Sequence, residues 1–549
     1  MSSDTNTPFV PPMHLVHGRG VRGLTLSRSS RLFGGNFGRI FRALPPAEFG
    51  DNDKESEANL IELGKSMVGD GPGGEPEEPK DGADSEESGI PALYTYLGQF
   101  VDHDLTFDPA SSLQQQNDPD SLVDFRTPRF DLDSVYGRGP DDQPYIYDFS
   151  LGPKRVKFLL GKRLAGGGRL NANARDLPRN TANLPVGAPL PARAIIGDPR
   201  NDENVVVSQL HGLFLRFHNR FVDEHNTLDF AAVQREVRYH YQWMLIHNFL
   251  PTLIREDVLF KVFPHLNPCT NRSLVDNPPK LRFYHARDEA FMPLEFSAAA
   301  YRFGHSMVRP GYRLNDGTPN DPATDTLLPI FPPFDNPNAR SLRGFCEPED
   351  GFAIDWARFI DIEDRPCVEE RPEDEAPTAD DRRRLQLAYR IDTSIVDPLG
   401  SLPDDVAGPP IQSLAQRNLL RGWRMRLPSG QAIARAMGEK PLERVRIGKF
   451  EEGADDLLLI ETISPVFKDN CPLWTYVLAE TFHNNHEGKC KVNSKLLGPV
   501  GGTLVAETFA GLLINDSHSF LSQDPNWKPQ IGGVHFGLKE FVMYALGLD

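Results

Sequence analysis

The stretch YLGQFVDHDLTFDP, at residues 96–109, places several groups that can transfer protons or bind cations close together. At helical spacing, Gln99 and His103 lie one turn apart on the same face, and Asp102 and Asp104 flank the histidine on either side. The apolar residues between them mark a buried helix face. A histidine held on a packed helix can serve as a general acid or base, whereas a solvated acidic turn would give the stretch no chemical role.

A second histidine, His305 in SAAAYRFGHSMV, lies on a largely apolar predicted helix beside a glycine that lets a flat group approach. A lone histidine in this setting is usually a core residue, but His103 and His305 together suggest a haem held between them. Haem iron takes an axial imidazole on one side, and polar groups on the other side determine whether peroxide is activated. Arg200 in GDPRNDENVV would supply a fixed cation there, with Glu203 on the same helix face.

Other histidine patterns fit metal binding less well. His211, His218 and His225 recur every seven residues, about 10.5 Å apart along a helix. Two of them cannot share one metal at that distance, so we expect structural or surface roles. HNNHEGKC (483–490) is not H-E-x-x-H and lacks the ligands that close a tetrahedral zinc site. Neither a G-x-x-x-x-G-K-[ST] phosphate loop nor a G-x-S-x-G nucleophile motif occurs.

The elements that would position these groups are mainly helical. Apolar residues repeat with a helical period over 204–226 and over 230–254, and the second helix is expected to stop near Pro251. The stretch 289–310 predicts a third helix that ends before Pro310. Strand-like alternation is scarce, and no internal repeat is found. We therefore predict a mainly α protein, with a single large helical domain, long ordered loops and little β structure.

Composition excludes several classes of protein. The chain has 549 residues with 77 acidic and 59 basic side chains, and nucleic acid as the main partner would require clustered Lys and Arg. The five cysteines form no C-x-x-C pair, so neither a zinc ribbon nor a dense disulfide framework is implied. The start lacks a secretory signal pattern, and no apolar run reaches the length of a transmembrane helix. We expect a soluble, cytoplasmic protein, although export by a non-classical route is compatible with the sequence.

Three segments are expected along the chain. Residues 1–50 are irregular, carry scattered arginines and are expected to form an arm lying on the body. Residues 51–90 are acidic and rich in Pro and Gly, which predicts a flexible surface segment. Residues 91–549 carry the periodic helices and are expected to form the main domain.

Several separated motifs resemble, in the same order, those of the animal-type haem peroxidases, also called the peroxidase–cyclooxygenase superfamily. GQFVDHD resembles the distal motif, RNDEN the R-x-x-E before the long helix, and YRFGHSMVRP the proximal motif. TPRFDLDSVYG resembles the calcium loop, and LAQRNLLRGWRMRLP the stretch with the proximal asparagine. The resemblance covers roughly residues 90–430 and is greatest to the bacterial members. It implies haem b and calcium as cofactors, and the same helical domain.

The resemblance also implies a role for each matched residue. On the distal side, His103 would be the general base, Arg200 would stabilise charge on the splitting O–O bond, and Gln99 would hold a water or halide. On the proximal side, His305 would bind iron and Asn418 would accept its ring N–H. The other matched residues would contact the haem itself: Arg302 and Arg421 at the propionates, Asp102 and Glu203 as ester links to the methyl groups.

The implied calcium site lies beside the distal histidine. Asp104 would turn away from the haem and bind the ion with Thr127, Asp131, Asp133 and the carbonyl of Arg129. An all-oxygen set with three carboxylates suits a hard cation of this size. Relatives more often have serine at position 133, so the third carboxylate is a departure from the family pattern.

The activity implied is oxidation of halides, thiocyanate or phenols by hydrogen peroxide through a ferryl intermediate. Asn204 stands where myeloperoxidase has a methionine bonded to a haem vinyl group, so we expect a haem like that of lactoperoxidase and little chloride oxidation. One alternative is a fatty-acid dioxygenase of the same superfamily with Tyr301 as radical residue, although the register is four residues before His305 rather than three. The other is a non-catalytic haem- or calcium-binding protein.

Overall fold

The computed structural model describes residues 35–72, 77–107, 123–124, 126–180, 192–270, 273–286, 289–317, 325–333, 336, 338–366, 376–404, 406–407, 410–450, 457–485 and 495–548. The predicted mainly α class with little β structure is confirmed. The α-helices are α1 (Asp53–Ser66), α2 (Leu93–Leu105), α3 (Asp133–Tyr136), α4 (Val205–Glu224), α5 (Phe230–Met244), α6 (Leu250–Leu253), α7 (Glu256–Val262), α8 (Leu294–Ser297), α9 (Ala379–Arg383), α10 (Asp397–Gly400), α11 (Leu414–Arg424), α12 (Gly430–Met437), α13 (Ile460–Ile463), α14 (Leu473–Asn485), α15 (Pro499–Ile514), α16 (Phe520–Gln523) and α17 (Leu538–Leu546).

The strands are short and form small antiparallel ladders, with one parallel pair, at the edges of the helical core. They are β1 (Gly35–Gly38), β2 (Glu87–Pro91), β3 (Val123–Asp124), β4 (Tyr147–Asp148), β5 (Lys157–Phe158), β6 (Met292–Pro293), β7 (Gly311–Arg313), β8 (Leu327–Pro329), β9 (Leu387–Tyr389), β10 (Arg446–Ile447) and β11 (Leu458–Leu459). β1 lies between β3 and β6. β2 pairs with β9 directly before α2, so this ladder fixes where α2 begins.

α2 and α4 form as their periodicity predicts and pack against each other. Leu97, Phe100 and Val101 of α2 are completely buried. Phe100 stacks on Phe214 of α4 with ring centroids 4.3 Å apart and an interplanar angle of 2°. Because this stacked pair holds one face of α2, Gln99 is left on a different and only partly buried part of the helix.

The second predicted helix ends near Pro251, as expected, at Leu253. After α5, a π-helical turn at Leu245–Phe249 leads directly into α6, where Pro251 occupies the first turn. A proline in a first turn lacks only an N–H that would have had no helical partner, so it does not end the element. The wider π turn brings Phe249 to the wall of the cavity described below.

The third predicted helix is broken rather than continuous. α8 ends at Ser297, and Ala300–His305 follow as a 3₁₀ helix. Ala299, between them, has φ −142° and ψ −73°, which is outside the helical region. His305 is therefore at the end of a tight turn, and its ring is directed by that turn rather than by a long helix.

The segment 51–90 differs from the flexible surface segment that its composition predicts. α1 buries Leu60 and Leu63, and the chain beyond it carries buried carboxylates. Arg313 binds Asp81 through two nitrogens at 2.6 and 2.9 Å. Charged residues need not be solvated when buried cations elsewhere in the fold pair with them, and composition does not report such partners.

Residues 35–50, part of the predicted arm, are packed against the body. Phe37 and Phe41 are buried in the same apolar core as α1, α2 and α4, and the backbone N–H of Phe41 donates to Glu295 at 2.9 Å. The described residues before 91 therefore share one core with those after it, and residues 1–34 lie outside the described part. Within the described residues, no helix is long and apolar enough to span a membrane.

Candidate haem site

A cavity of about 500 Å³ lies between α2, the 3₁₀ turn at Pro199–Asp202, the 3₁₀ helix at Ala300–His305 and α11. Residues predicted from four separate parts of the sequence meet in its wall. They are Gln99, Asp102, His103, Arg200, Glu203, Arg302, His305, Asn418 and Arg421. The two histidines thus line one space from different elements, as a group held between them requires.

His103 is only 5% exposed, and its Nδ1 lies 2.8 Å from the side-chain oxygen of Asn201. An amide oxygen can only accept a hydrogen bond, so this contact places the ring proton on Nδ1. Nε2 then retains its lone pair. A histidine in this state can take a proton from a ligand in the cavity.

Arg200 is held beside the cavity by Asp198. Its guanidinium pairs with Asp198 at 2.7 Å, donates to the carbonyl of His103 at 2.9 Å and lies over the ring of Phe107, 4.6 Å from the centroid. Burial would raise the pKa of Asp198, but the cations of Arg126 and Arg200 outweigh it and hold this pKa well below its usual range. Asp198 therefore remains an anion that fixes Arg200.

Gln99 is bound at both ends of its amide. Its nitrogen donates to Glu203 Oε2 at 3.1 Å, and its oxygen accepts from Asn204 Nδ2 at 3.2 Å. Asn204 also caps α4, accepting from the backbone N–H groups of Val206 and Val207. The start of α4 therefore sets the position of Gln99.

Asp102 lies on α2 next to His103 and is partly exposed to the cavity. Its Oδ1 accepts from the hydroxyl of Thr106 at 3.1 Å. The two carboxylates predicted to form ester links, Asp102 and Glu203, thus approach the cavity from α2 and from the residue before the N-cap of α4.

On the opposite side, the ring of His305 contacts Asn418 on α11. The Asn418 amide nitrogen lies 2.8 Å from His305 Nδ1, and the amide oxygen accepts from Arg302 at 3.2 Å. The partner is the predicted one, but the amide has the opposite orientation, because Arg302 occupies its oxygen. Burial, with a smaller effect from Arg302, lowers the pKa of His305 to about 3, so the imidazole is neutral and suited to binding a metal.

The cavity wall beside His305 is open enough for a flat group. A Cβ atom added at Gly304 would meet no other atom within 4 Å. Elsewhere the wall carries many apolar side chains, including Phe249, Leu402 and Val406. A mostly apolar cavity with a neutral histidine on one side, a second histidine on the other and arginines at its edge fits the chemistry of haem.

The predicted calcium ligands also come together in part. Carboxylate oxygens of Asp104, Asp131 and Asp133 lie within 4.8 Å of one another. Burial raises the pKa of Asp104 well above its usual range and that of Asp133 to about 7, with further contributions from the neighbouring carboxylates. Asp133 Oδ1 is buried without a hydrogen-bond partner. Three crowded carboxylates with an unpartnered oxygen are the arrangement that a bound hard cation would satisfy.

The other two predicted calcium ligands are placed differently. The hydroxyl of Thr127 donates to Asp131 at 2.7 Å, so it lies at the cluster. The side chain of Arg129 points away from the cluster and lies 3.9 Å from Asp516. The predicted calcium ligand of this residue is its backbone carbonyl. Arg126 pairs with Asp133 at 3.3 Å and with Asp198 at 2.6 Å, and so links this cluster to the anion that holds Arg200.

Sequence reasoning missed three residues of the site. Asn201, Asp198 and Arg417 were not singled out, yet Asn201 contacts His103, Asp198 holds Arg200, and Arg417 lines the cavity beside Arg421. The first two lie in the quoted stretch GDPRNDENVV, where a polar run before an apolar helix was the available signal.

The three histidines of α4 have the structural roles expected of them. His218 contacts the hydroxyl of Tyr136 at 3.0 Å and the carbonyl of Val156 at 3.0 Å. His225 follows the last residue of α4. His211 is completely buried beside Asn201. The side chains of residues 483–490, the other histidine pattern, lie outside the described part of the protein.

Comparison with known proteins agrees with this site. A family model described as animal haem peroxidase matches residues 111–347. Peroxinectin A of Dictyostelium discoideum is 27% identical over 213 residues, which are 36% of this chain and 36% of that protein. The match thus spans about a third of the length of that curated relative. Arg200 and His305 lie within the family match, whereas His103 and Asn418 lie outside it and are brought to the site by the fold.

Solved structures with the same fold include two kinds of protein. Peroxidase A from Dictyostelium discoideum aligns with a TM-score of 0.52 at 16% identity, over 90% of this chain and 91% of that one. Oryza sativa fatty acid alpha-dioxygenase aligns with a TM-score of 0.51 at 13% identity, over 91% and 77%. At these identities the likeness concerns the fold alone. The family match covers less than half of this chain, and over residues 111–347 the chain is similar to the animal haem peroxidases.

Proposed function

We propose that the protein is a haem peroxidase that uses hydrogen peroxide to oxidise small donors. The observation that carries the proposal is that His103 and His305 line one cavity, each with its Nδ1 engaged by an asparagine. The match of residues 111–347 to the animal haem peroxidase family model supports it.

Haem b is the cofactor that the residues of the cavity would hold. His305 would bind the iron through Nε2, Arg302 and Arg421 would bind the propionates, and Asp102 and Glu203 would form ester links. Iron binding through Nε2 leaves the ring proton on Nδ1, so Asn418 would then present its oxygen. Bound haem supplies the redox-active iron that accepts oxygen from peroxide.

The distal residues would handle the proton and the charge of peroxide. His103 Nε2 would take a proton from one oxygen of hydrogen peroxide and return it to the other, so that water leaves. Arg200, fixed by Asp198, stabilises negative charge on the departing oxygen. Gln99, fixed at both amide ends, positions small polar molecules beside them.

The donors proposed are iodide, thiocyanate, bromide and phenols. Asn204 carries no sulfur and is occupied as the cap of α4, so it offers no third covalent link that would make the haem more oxidising. Halides become easier to oxidise from chloride to iodide, so chloride turnover should be small or absent at neutral pH. Halogenation of monochlorodimedone with each halide tests this order, and efficient chlorination would contradict it.

The experiment that tests the function combines haem titration with peroxide kinetics. His305→Ala should fail to give the haem absorption band, whereas His103→Ala should bind haem but react with peroxide about 10²–10⁴-fold more slowly. His518→Ala, a largely exposed histidine, is the matched control. A parent protein that binds haem but leaves peroxide unchanged would refute the proposal.

Calcium is proposed at the cluster of Asp104, Asp131 and Asp133, with Thr127 and the carbonyl of Arg129 completing the set. Asp104 neighbours His103, so the ion would neutralise carboxylates next to the distal base.

A fatty-acid dioxygenase is the second candidate function, and Tyr301 favours it. Its ring lines the cavity, and its buried hydroxyl has no hydrogen-bond partner among the residues that the structure describes. Oxygen uptake with linoleate, lost in Tyr301→Phe, would support the dioxygenase. Peroxidase turnover that persists in Tyr301→Phe, without oxygen uptake in the parent, would exclude it.

A further inference from the structure

Asn201 joins the distal histidine to a second, deeper histidine. Its side-chain oxygen lies 2.8 Å from His103 Nδ1, and its nitrogen lies 3.0 Å from His211 Nδ1. Asn201 and His211 are completely buried, and His103 is 5% exposed. The three side chains come from the 3₁₀ turn, α2 and α4, so one amide bridges the two helices that form the distal wall.

The orientation of this amide determines which nitrogen of His103 carries the proton. With the oxygen toward His103, the proton lies on Nδ1 and Nε2 is a base. With the amide turned by half a rotation, Nδ1 would accept and the proton would lie on Nε2. His103 could not then take a proton from a ligand, so the amide orientation decides whether the distal base exists.

His211 supplies the contact that opposes this rotation. Burial lowers its pKa to about 3, although the charge of Asp198 acts in the other direction, so the ring is neutral at ordinary pH. Its Nδ1 accepts from Asn201, which places its own proton on Nε2. Among the described residues, that buried Nε2 has no hydrogen-bond partner. With its proton on Nε2, His211 presents a lone pair to the amide nitrogen, and the amide oxygen could not take that position unless His211 also changed tautomer.

The backbone of Asn201 is fixed as well. Asp198 caps the 3₁₀ turn, and the backbone N–H of Asn201 donates to the carbonyl of Asp198 at 3.1 Å. The amide therefore has little freedom other than rotation about its own bond, and that rotation exchanges the donor and acceptor ends.

We propose that Asn201 and His211 are positioning residues that hold His103 as the Nδ1–H tautomer, so that Nε2 is the ring nitrogen that accepts the proton of peroxide. The catalytic role that this inference gives to the tautomer rests on the proposed peroxidase function. The hydrogen bonds that set the tautomer do not involve the haem.

The tautomer can be measured directly. In ¹⁵N-histidine-labelled protein, loaded with haem and kept in its diamagnetic ferrous carbon monoxide state, long-range ¹H–¹⁵N correlations report which ring nitrogen is protonated. His103→Ala assigns the signal. We expect Nδ1–H for His103 in the parent and a substantial Nε2–H population in Asn201→Leu and in His211→Phe. Asn201→Asp, which retains an acceptor for Nδ1–H, should keep the parental tautomer.

The kinetic consequence is a separate measurement. Asn201→Leu should slow the reaction with peroxide by about 10–100-fold, as for other residues that orient a catalytic group, with the haem content of the parent. An Nε2–H tautomer in the parent, or an unchanged tautomer in Asn201→Leu, would overturn the inference. If Asn201→Leu does not fold, the parent spectrum together with His211→Phe still decides it. If the parent protein has the expected tautomer but does not react with peroxide, the proposed peroxidase function fails and the inference about the tautomer stands.

Discussion

Gln99 and Glu203 are joined side chain to side chain in the cavity wall, with the Gln99 amide nitrogen 3.1 Å from Glu203 Oε2. This hydrogen bond orients the carboxylate that the family resemblance assigns to a haem ester. It links α2, which carries the distal base, to the start of α4. If Glu203 forms the proposed ester, the glutamine would affect the attachment of the haem as well as the position of small molecules near His103.

The first prediction concerns that attachment. After turnover with peroxide, haem should resist extraction by acidified butanone, because the proposed ester links to Asp102 and Glu203 would hold it covalently. Glu203→Gln should retain one link, and the double variant Asp102→Asn/Glu203→Gln should release all its haem. Glu224→Gln, at the far end of α4, is the control. Complete extraction of haem from the turned-over parent would show that neither ester forms.

The second prediction concerns Asn204, which caps α4 and also binds Gln99. Asn204→Met removes the cap, and we expect the free energy of unfolding to fall by about 0.5–2 kcal/mol. Urea denaturation of the haem-loaded protein measures this change. Asn204→Asp keeps a capping oxygen and should lose much less. Equal stability of Asn204→Met and the parent would show that the cap contributes nothing.

The third prediction concerns calcium. Saturation at a hundred times the dissociation constant should stabilise the protein by about 2.7 kcal/mol. Its removal should slow the peroxide reaction, because the cluster connects through Arg126 and Asp198 to Arg200. Calorimetric titration with Asp131→Asn as a weakened site, followed by stopped-flow kinetics, tests both parts. Unchanged kinetics in protein shown to be calcium-free would remove the link to the distal site.

The fourth prediction concerns Glu480 of α14, whose carboxylate accepts the backbone N–H groups of Val500 and Gly501 at the start of α15. Burial raises the pKa of Glu480 to about 7, and these hydrogen bonds only partly oppose it. The folded protein therefore binds a proton that the unfolded chain has lost between pH 4.5 and pH 7, and this contribution to stability disappears as the pH rises through that window.

Glu480→Gln should consequently show a smaller loss of unfolding free energy between pH 5 and pH 8 than the parent. Glu443→Gln removes an exposed carboxylate and serves as the control. If the free energy of unfolding has the same pH dependence in Glu480→Gln and in the parent, the raised pKa of Glu480 does not contribute to the stability of the protein.

Most of the site could be predicted because its residues lie in local motifs on periodic helices. α2 and α4 have strong apolar stripes, so the placement of Gln99 and His103 followed from spacing alone. Asn201 could not be found in this way. Its role depends on His103 and His211, which reach it from two different helices, and no spacing in the sequence encodes that meeting.

The features of the fold that the sequence did not predict also depend on contacts between distant parts of the chain. The broken helix before His305 and the π turn at Leu245–Phe249 are decided by tertiary packing rather than by periodicity. The composition of the acidic segment 51–90 predicts a flexible segment because its charges are visible in the sequence. The arginines that bind Asp81 and Glu87 are more than two hundred residues away.

The ion pairs of Arg309 and Arg384 limit where the N-terminus of the protein could be truncated. Glu87 binds both Arg309, at 2.5 Å, and Arg384, and these guanidinium groups are 1% and 3% exposed. A protein beginning at residue 91 would leave both cations buried without their carboxylate, and breaking one buried ion pair typically costs about 3–5 kcal/mol. Domains of ordinary stability have only about 5–15 kcal/mol in total. A boundary chosen from composition would therefore give a chain that barely folds, although every predicted residue of the haem site, from Gln99 to Arg421, would still be present.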